Sequence, residues 1–143
     1  MRSSCPPVRR AKPLLGTLVS ITVEGISADA ASSVVATCFE RIARVHRCMS
    51  FQDPHSDVSR LNREAHRKPV QVDPDTVGVL RLAADVSARS AGTFDVTVSP
   101  SLSTAWKRHE PCRFAMPDEQ AQWSDIELLP RCHVRFARRL VVD

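Results

Sequence analysis

Apolar and polar residues alternate or recur along this chain in a pattern that separates two helices from several short strands. Leu18, Val19, Ile21, Thr22 and Val23 are mostly β-branched and lie between Gly16 and Gly25, which predicts a first or central strand over Leu14–Glu24. From Ala28 to about Met49 the residues Val34, Cys38, Ile42 and Val45, flanked by Val35, Phe39 and Met49, repeat at helical spacing, with Ser27 or Asp29 at the start and Glu40, Arg41, Arg44 and Arg47 on the other face. A loop rich in Asp, Pro and Ser follows, then one or two helical turns over Val58–Arg63. Val70–Val72 reads as extended, and Asp73-Pro74 opens a second helix because the carboxylate caps free amides and Pro fits the first turn. That helix runs to about Ala91, with Val77, Leu80, Ala84 and Ser87 or Ala88 inward, and Gly92 ends it.

After Gly92 the residues Thr93-Phe94-Asp95-Val96-Thr97-Val98-Ser99-Pro100 predict a strand with Val96 and Val98 on one face and Asp95, Thr97 and Ser99 on the other. One face can pack while the other meets a polar ligand. Trp106–Asp125, broken by Pro111 and Pro117, reads as an irregular connection. Ile126–Leu129, His133–Phe136 and Leu140–Val142 read as three short strands joined by tight turns at Pro130-Arg131 and Ala137-Arg138. The expected fold class is therefore α+β, a mixed or antiparallel sheet with two main packed helices. Residues 1–13 are expected as a basic flexible N-terminus and 14–143 as one domain. The apolar run Leu140–Val142 stops on Asp143, which leads us to expect part of a longer domain.

Composition narrows the classes. With 143 residues, 43% of them hydrophobic, the chain can bury one core. Leu14–Val23 and Thr76–Val86 fall well short of the ~20 apolar residues of a membrane span, so no span is expected. Met1–Lys12 lacks the apolar core of a secretory signal and no lipobox precedes Cys5, which points to the cytoplasm. Five cysteines without a Cys-x-x-Cys pair favour reduced thiols, and Cys112, Cys132 and His133 lack the paired spacing of a zinc site. The formal net charge is +4, and the positive residues are nearly all arginine, clustered at Arg9-Arg10, Arg60–Lys68 and Arg131–Arg139. A solvated basic surface, a diphosphate ligand and nucleic acid are the open readings, but interspersed acids and few aromatic residues leave no nucleic-acid partner expected. His-Glu-x-x-His, Gly-x-Ser-x-Gly, Walker and Gly-x-Gly-x-x-Gly patterns are all absent.

Four places in order resemble the ApbE family of flavin transferases. Pro13-Leu14-Leu15-Gly16-Thr17 is similar to the family's Met-Gly-Thr, with Leu15 for Met. Met49-Ser50-Phe51-Gln52 through Ser56-Asp57-Val58-Ser59-Arg60-Leu61-Asn62 is similar to its Ser-x-aromatic and Ser-x-x-Ser-Arg-Leu-Asn block. Gln52 stands where an aromatic residue is common, and Phe51 is the alternative ring. A structural capping loop built by Ser56, Asp57 and Ser59 is the competing reading of this block.

Gly92–Pro100 resembles the family's Gly-x-Phe-Asp-Pro-Thr-x-Gly-Pro, with Val96 for Pro and Ser99 for Gly. Here the competing reading has Asp95 bonding its own turn. Val141-Val142-Asp143 resembles the start of the family's Asp-Leu-Gly-Gly segment. The resemblance implies FAD contacts from Leu15, Gln52, Thr93, Phe94, Asp95 and Asp143, no catalytic residue and no metal ligand in this chain, and Mg²⁺ ligands beyond residue 143. It implies transfer of FMN from FAD to a Thr hydroxyl of an acceptor flavoprotein, with AMP released, by a form that is inactive alone. The alternatives are a non-catalytic flavin- or nucleotide-binding protein and a small basic nucleic-acid binder. Oligomeric state is left open.

Overall fold

The computed structural model describes residues 5–97 and 114–143, and it divides into two compact units, residues 1–47 and 48–143. The first unit opens with a hairpin of β1, Val8–Leu14, and β2, Thr17–Val23, paired antiparallel from Val8↔Val23 to Leu14↔Thr17. Leu15 and Gly16 form its two-residue turn, with φ of 55° and 69°, the pattern of a type I′ turn, whose twist suits a hairpin. The segment expected as a flexible basic tail is thus a paired strand from Val8 onward. The sequence pattern concealed it because none of its residues is buried, so no apolar-polar alternation was imposed.

Helix α1 spans Ala28–Met49, as the periodicity predicts, and Ser27 Oγ accepts from the Ala30 amide at 3.4 Å. Its buried residues are Ala31, Val35 and Phe39, while Val34 is exposed. The inward stripe is therefore rotated by one residue from the predicted Val34–Cys38–Ile42 line. Lys12 of β1 holds its ammonium 5.0 Å from the Phe39 ring centre, a cation–π contact that keeps the stem of an exposed lysine over the ring.

The second unit carries α2, Asp57–Glu64; β3, Val70–Gln71; α3, Pro74–Arg89; a 3₁₀ turn at Trp123–Asp125; β4, Ile126–Leu129; and β5, His133–Phe136. Its sheet has the order β3-β5-β4, all antiparallel, with Val70 opposite Val134 and Ile126 opposite Phe136. Helices and antiparallel sheets confirm the α+β class. Val58, Leu61 and Ala65 of the α2 region meet Val70, Val72, Val77, Leu80, Val134, Phe136, Leu140 and Val142 in one core. Burial of these side chains from water is the main stabilising term, about 1.5–3 kcal/mol for each large one. On α3 the inward residues are Thr76, Val77, Leu80, Ala83 and Ser87, close to the predicted stripe, with Ala83 in place of Ala84.

Leu140–Val142 is buried but is not a strand. A side chain, rather than a neighbouring strand, takes up the backbone groups of Val142, as the site geometry makes plain. No described helix is long and apolar enough to cross a membrane.

Candidate functional site

The block from Ser50 to Asn62 spends its polar groups on the fold. Ser56 caps α2 by accepting from the Ser59 amide at 3.0 Å, and its own hydroxyl donates to the Ser50 carbonyl at 2.6 Å. Ser59 Oγ donates to the Phe51 carbonyl at 3.3 Å. Asp57 is buried, and its Oδ2 accepts from the Asp73 amide at 2.7 Å and from Thr76 Oγ1 at 2.8 Å. Its Oδ1 takes the Arg60 guanidinium at 3.1 Å, and the other end of that fork donates to the Gln71 carbonyl at 2.9 Å. One carboxylate thereby ties the start of α2 to the start of α3, each bond strengthened by the charge. The capping reading of this block describes Ser56, Asp57 and Ser59 correctly.

Asn62 is the residue that sequence reasoning missed. Its Nδ2 donates to the Val142 carbonyl and its Oδ1 accepts from the Val142 amide, both at 2.9 Å and both buried. The carboxamide acts as one rung of a strand that is otherwise absent. A signal existed, because an amide inside a short helix and adjacent to buried Leu61 is a poor helix former and needs another reason to be there.

Beyond α3 the chain makes a Schellman-type cap: the Gly92 amide donates to the Ser87 carbonyl at 2.9 Å and the Ala91 amide to the Ala88 carbonyl at 3.3 Å. Ala91, with φ of 50°, occupies the left-handed position that glycine usually fills, and Gly92 follows at 79°. The Phe94 amide then donates to Ser90 Oγ at 3.1 Å. Asp95 Oδ1 accepts from the Thr97 amide at 2.8 Å and from Thr97 Oγ1 at 2.7 Å. Residues 93–97 are consequently a turn and not the predicted strand. Side-chain oxygens that reach the backbone two residues on compete with a sheet ladder, and here they prevail. Val98, Ser99 and Pro100 lie outside the described residues, as does Cys112.

Each expected contact residue has a definite place. Thr93 and Phe94 are exposed, and Asp95 is half-buried. Asp143 is exposed, and its amide donates to the Val96 carbonyl at 3.2 Å. Val96 and Asp143, 47 positions apart, thus join the Gly92–Thr97 segment to the final residue, while Val96 itself packs on the core. Gln52 is exposed on the loop before α2. Phe51, the alternative ring, is already engaged edge-on with Phe114, with centroids 5.2 Å apart and planes at 82°. Leu15 belongs to the other unit, where it is half exposed at the tip of the hairpin with positive φ. A branched side chain in that conformation is strained by about 1–2 kcal/mol, a feature that concentrates at functional positions.

The ApbE family model matches residues 15–138. The chain belongs to the ApbE family. Solved structures agree on the fold of this ApbE chain. The ApbE protein of Thermotoga maritima superposes with a TM-score of 0.78 at 19% identity, over 96% of this chain and 47% of that one. The apo flavinyl transferase ApbE of Pseudomonas stutzeri gives 0.78 at 17%, over 98% and 47%. The flavin transferase ApbE of Vibrio cholerae gives 0.77 at 22%, over 96% and 48%. The chain spans about half the length of these proteins. No curated protein sequence matches it significantly.

Among the described residues no group of three His, Cys, Asp or Glu side chains could hold a metal ion. Three acids of this ApbE chain are engaged elsewhere: Asp57 in the core network, Asp95 in its turn, and Glu64 with Lys68 at 3.0 Å. The Lys68 hydrogen bond and charge hold the Glu64 carboxyl below its ordinary range.

Proposed function

We propose that this chain supplies one wall of the FAD site of an FAD:protein FMN transferase. The observation that carries the reading is the Asp143–Val96 bond, which joins the two segments that resemble the family's flavin-contacting motifs. In the proposed reaction a Thr hydroxyl of the acceptor flavoprotein attacks the FMN phosphorus of FAD. The diphosphate P–O bond breaks, AMP leaves, and the hydroxyl proton passes to solvent or to a base. Mg²⁺ would neutralise charge on the diphosphate. The described side chains do not form a site for it, and we derive no step through it.

The role left to this chain is binding and orientation. Phe94 is an exposed ring that can lie against a flavin or adenine face. The 93–97 turn is held rigid by Asp95 and Ser90, so its backbone groups are presented in a fixed direction. Leu15 offers an exposed apolar side chain on a tight turn. Cys5, Cys38 and Cys132 form no disulfide among the described residues, and we propose a cytoplasmic setting for the chain.

Two measurements test the reading together. Titration of the chain into FAD is expected to change flavin fluorescence saturably, and Asp143→Ala is expected to weaken that binding about tenfold, or about 1.4 kcal/mol. Incubation with FAD, Mg²⁺ and an acceptor flavoprotein is expected to leave no covalent FMN on the acceptor. Absence of any flavin response would defeat the binding assignment, and covalent FMN on the acceptor would defeat the assignment of catalysis to other residues.

A further inference from the structure

A cleft of about 270 Å³ opens in the second unit beside the end of α2, lined by Asn62, Arg63, His66, Arg67, Phe114 and Arg139 among others. Three guanidinium side chains, an imidazole and an aromatic ring line a single concavity. None of the three arginines forms an ion pair with a described residue, although five such pairs occur elsewhere among those residues. Both ring nitrogens of His66 and the Nε of Arg139 are sealed from solvent and have no hydrogen-bond partner. Buried polar atoms without partners are uncommon, and each costs about 1–3 kcal/mol. They lie behind a cleft that collects positive charge and whose guanidinium groups have no acid paired to them among the described residues.

We propose that this cleft binds a small phosphate group, as free phosphate or a short phosphomonoester, separately from the flavin wall. Guanidinium forks match phosphate oxygens in geometry and charge. Arg63 and Arg67, the exposed guanidiniums of the lining, would grip that group in front of the His66 ring, and Phe114 would border its organic substituent. The volume lies just below the roughly 300–1,000 Å³ of sites for drug-sized ligands, a size that suits a small phosphate group. Asn62 connects the cleft to the flavin wall, since the amide that lines one also clamps Val142 of the other.

His66 adds support from its protonation. Burial first, then the charges of Arg139 and Arg67, hold its pKa below the ordinary 6.5, and Asp118 opposes them in part. Asp118 is committed to the Arg139 amide, at 3.0 Å, and Glu64 at the end of α2 is paired with Lys68. Because the folded pKa lies below the unfolded one, the unfolded chain binds more protons, so this stability is present above about pH 6.5 and is lost as pH falls below it. A bound phosphate reverses the sign of the local field and should raise the His66 pKa.

Calorimetric titration of the full chain with inorganic phosphate, and separately with a short phosphomonoester, tests the site. One site per chain is expected, weakened at least tenfold in the exposed double variant Arg63→Gln/Arg67→Gln and again in Arg139→Gln. The His66 ring proton signal should titrate at higher pH when phosphate is present. FAD binding should be unchanged in the double variant. Phosphate affinity equal in wild type and double variant, or no binding at millimolar phosphate, overturns the proposal. Stoichiometric displacement of phosphate by FAD overturns it as a separate site while leaving the flavin reading intact.

Discussion

Two aspartates resembling family motifs lie in the same unit and have opposite fates. Asp57 is buried and binds two elements together through Asp73, Thr76 and Arg60. Asp95 is half-buried and, among the described residues, bonds only Thr97, two residues away. The first is scaffold, whose loss should be felt by the whole unit. The second shapes a local turn beside an exposed ring, whose loss should be felt by whatever binds there. Likeness to a motif thus marks a position that matters without saying whether it matters to the fold or to the ligand, and the number and sequence distance of its partners decide between them.

The largest effect that can break this division is expected at Asn62. Asn62→Ala leaves the buried amide and carbonyl of Val142 without partners and should cost about 3 kcal/mol, read as a shifted midpoint in denaturant with flavin binding lost as well. Intact stability in that variant would mean that Leu140–Val142 is held by packing alone. Next, Asp57→Asn should cost about 2 kcal/mol, since it removes the charge and one acceptor from a buried network, and it should leave flavin affinity per folded molecule unchanged. Its mirror, Asp95→Asn, should change stability by under about 1 kcal/mol, the range of a surface turn, while weakening FAD binding severalfold. Equal stability losses at the two aspartates would erase the distinction.

Two strained residues sharpen the same comparison on a smaller scale. Leu15→Asn relieves a left-handed leucine at the hairpin tip and should stabilise the chain by about 1 kcal/mol. If Leu15 serves the flavin, the gain comes with weaker FAD binding, and a stabilised variant with full affinity would count against that role. Ala91→Gly relieves the corresponding strain at the end of α3 and should raise stability by about 0.5–1 kcal/mol, with FAD affinity kept. Thermal melts of the two variants beside their FAD titrations separate strain that is used from strain that is merely carried.

Much of this was legible in the sequence where the signal was long or local. Twenty-two residues of apolar periodicity give α1 its limits, and Asp73-Pro74 gives α3 its start through a carboxylate that accepts from the Asp75 amide at 2.9 Å. Strand β1 was not legible because nothing on either of its faces is buried. The 93–97 turn was hidden because β-branched Val96 and Thr97 favour a strand, while the carboxylate of Asp95 favours a turn, and a pattern of residue types does not rank the two. The FAD contacts that we propose rest on resemblance alone. What joins them, Asn62 to Val142 and Asp143 to Val96, depends on partners far apart in the chain and leaves no local trace.

That remoteness also sets an order of events. The Asn62–Val142 contact closes 80 residues of chain, against 3 for the Ser56–Ser59 cap, and loop-closure entropy makes the longer closure costlier by roughly 3 kcal/mol. Helix α2 and its cap can therefore form early, whereas the final residues dock only once the helices and hairpin between them are in place. During refolding the proposed flavin wall should be the last part of the unit to mature, and recovery of FAD binding should trail the return of helical signal.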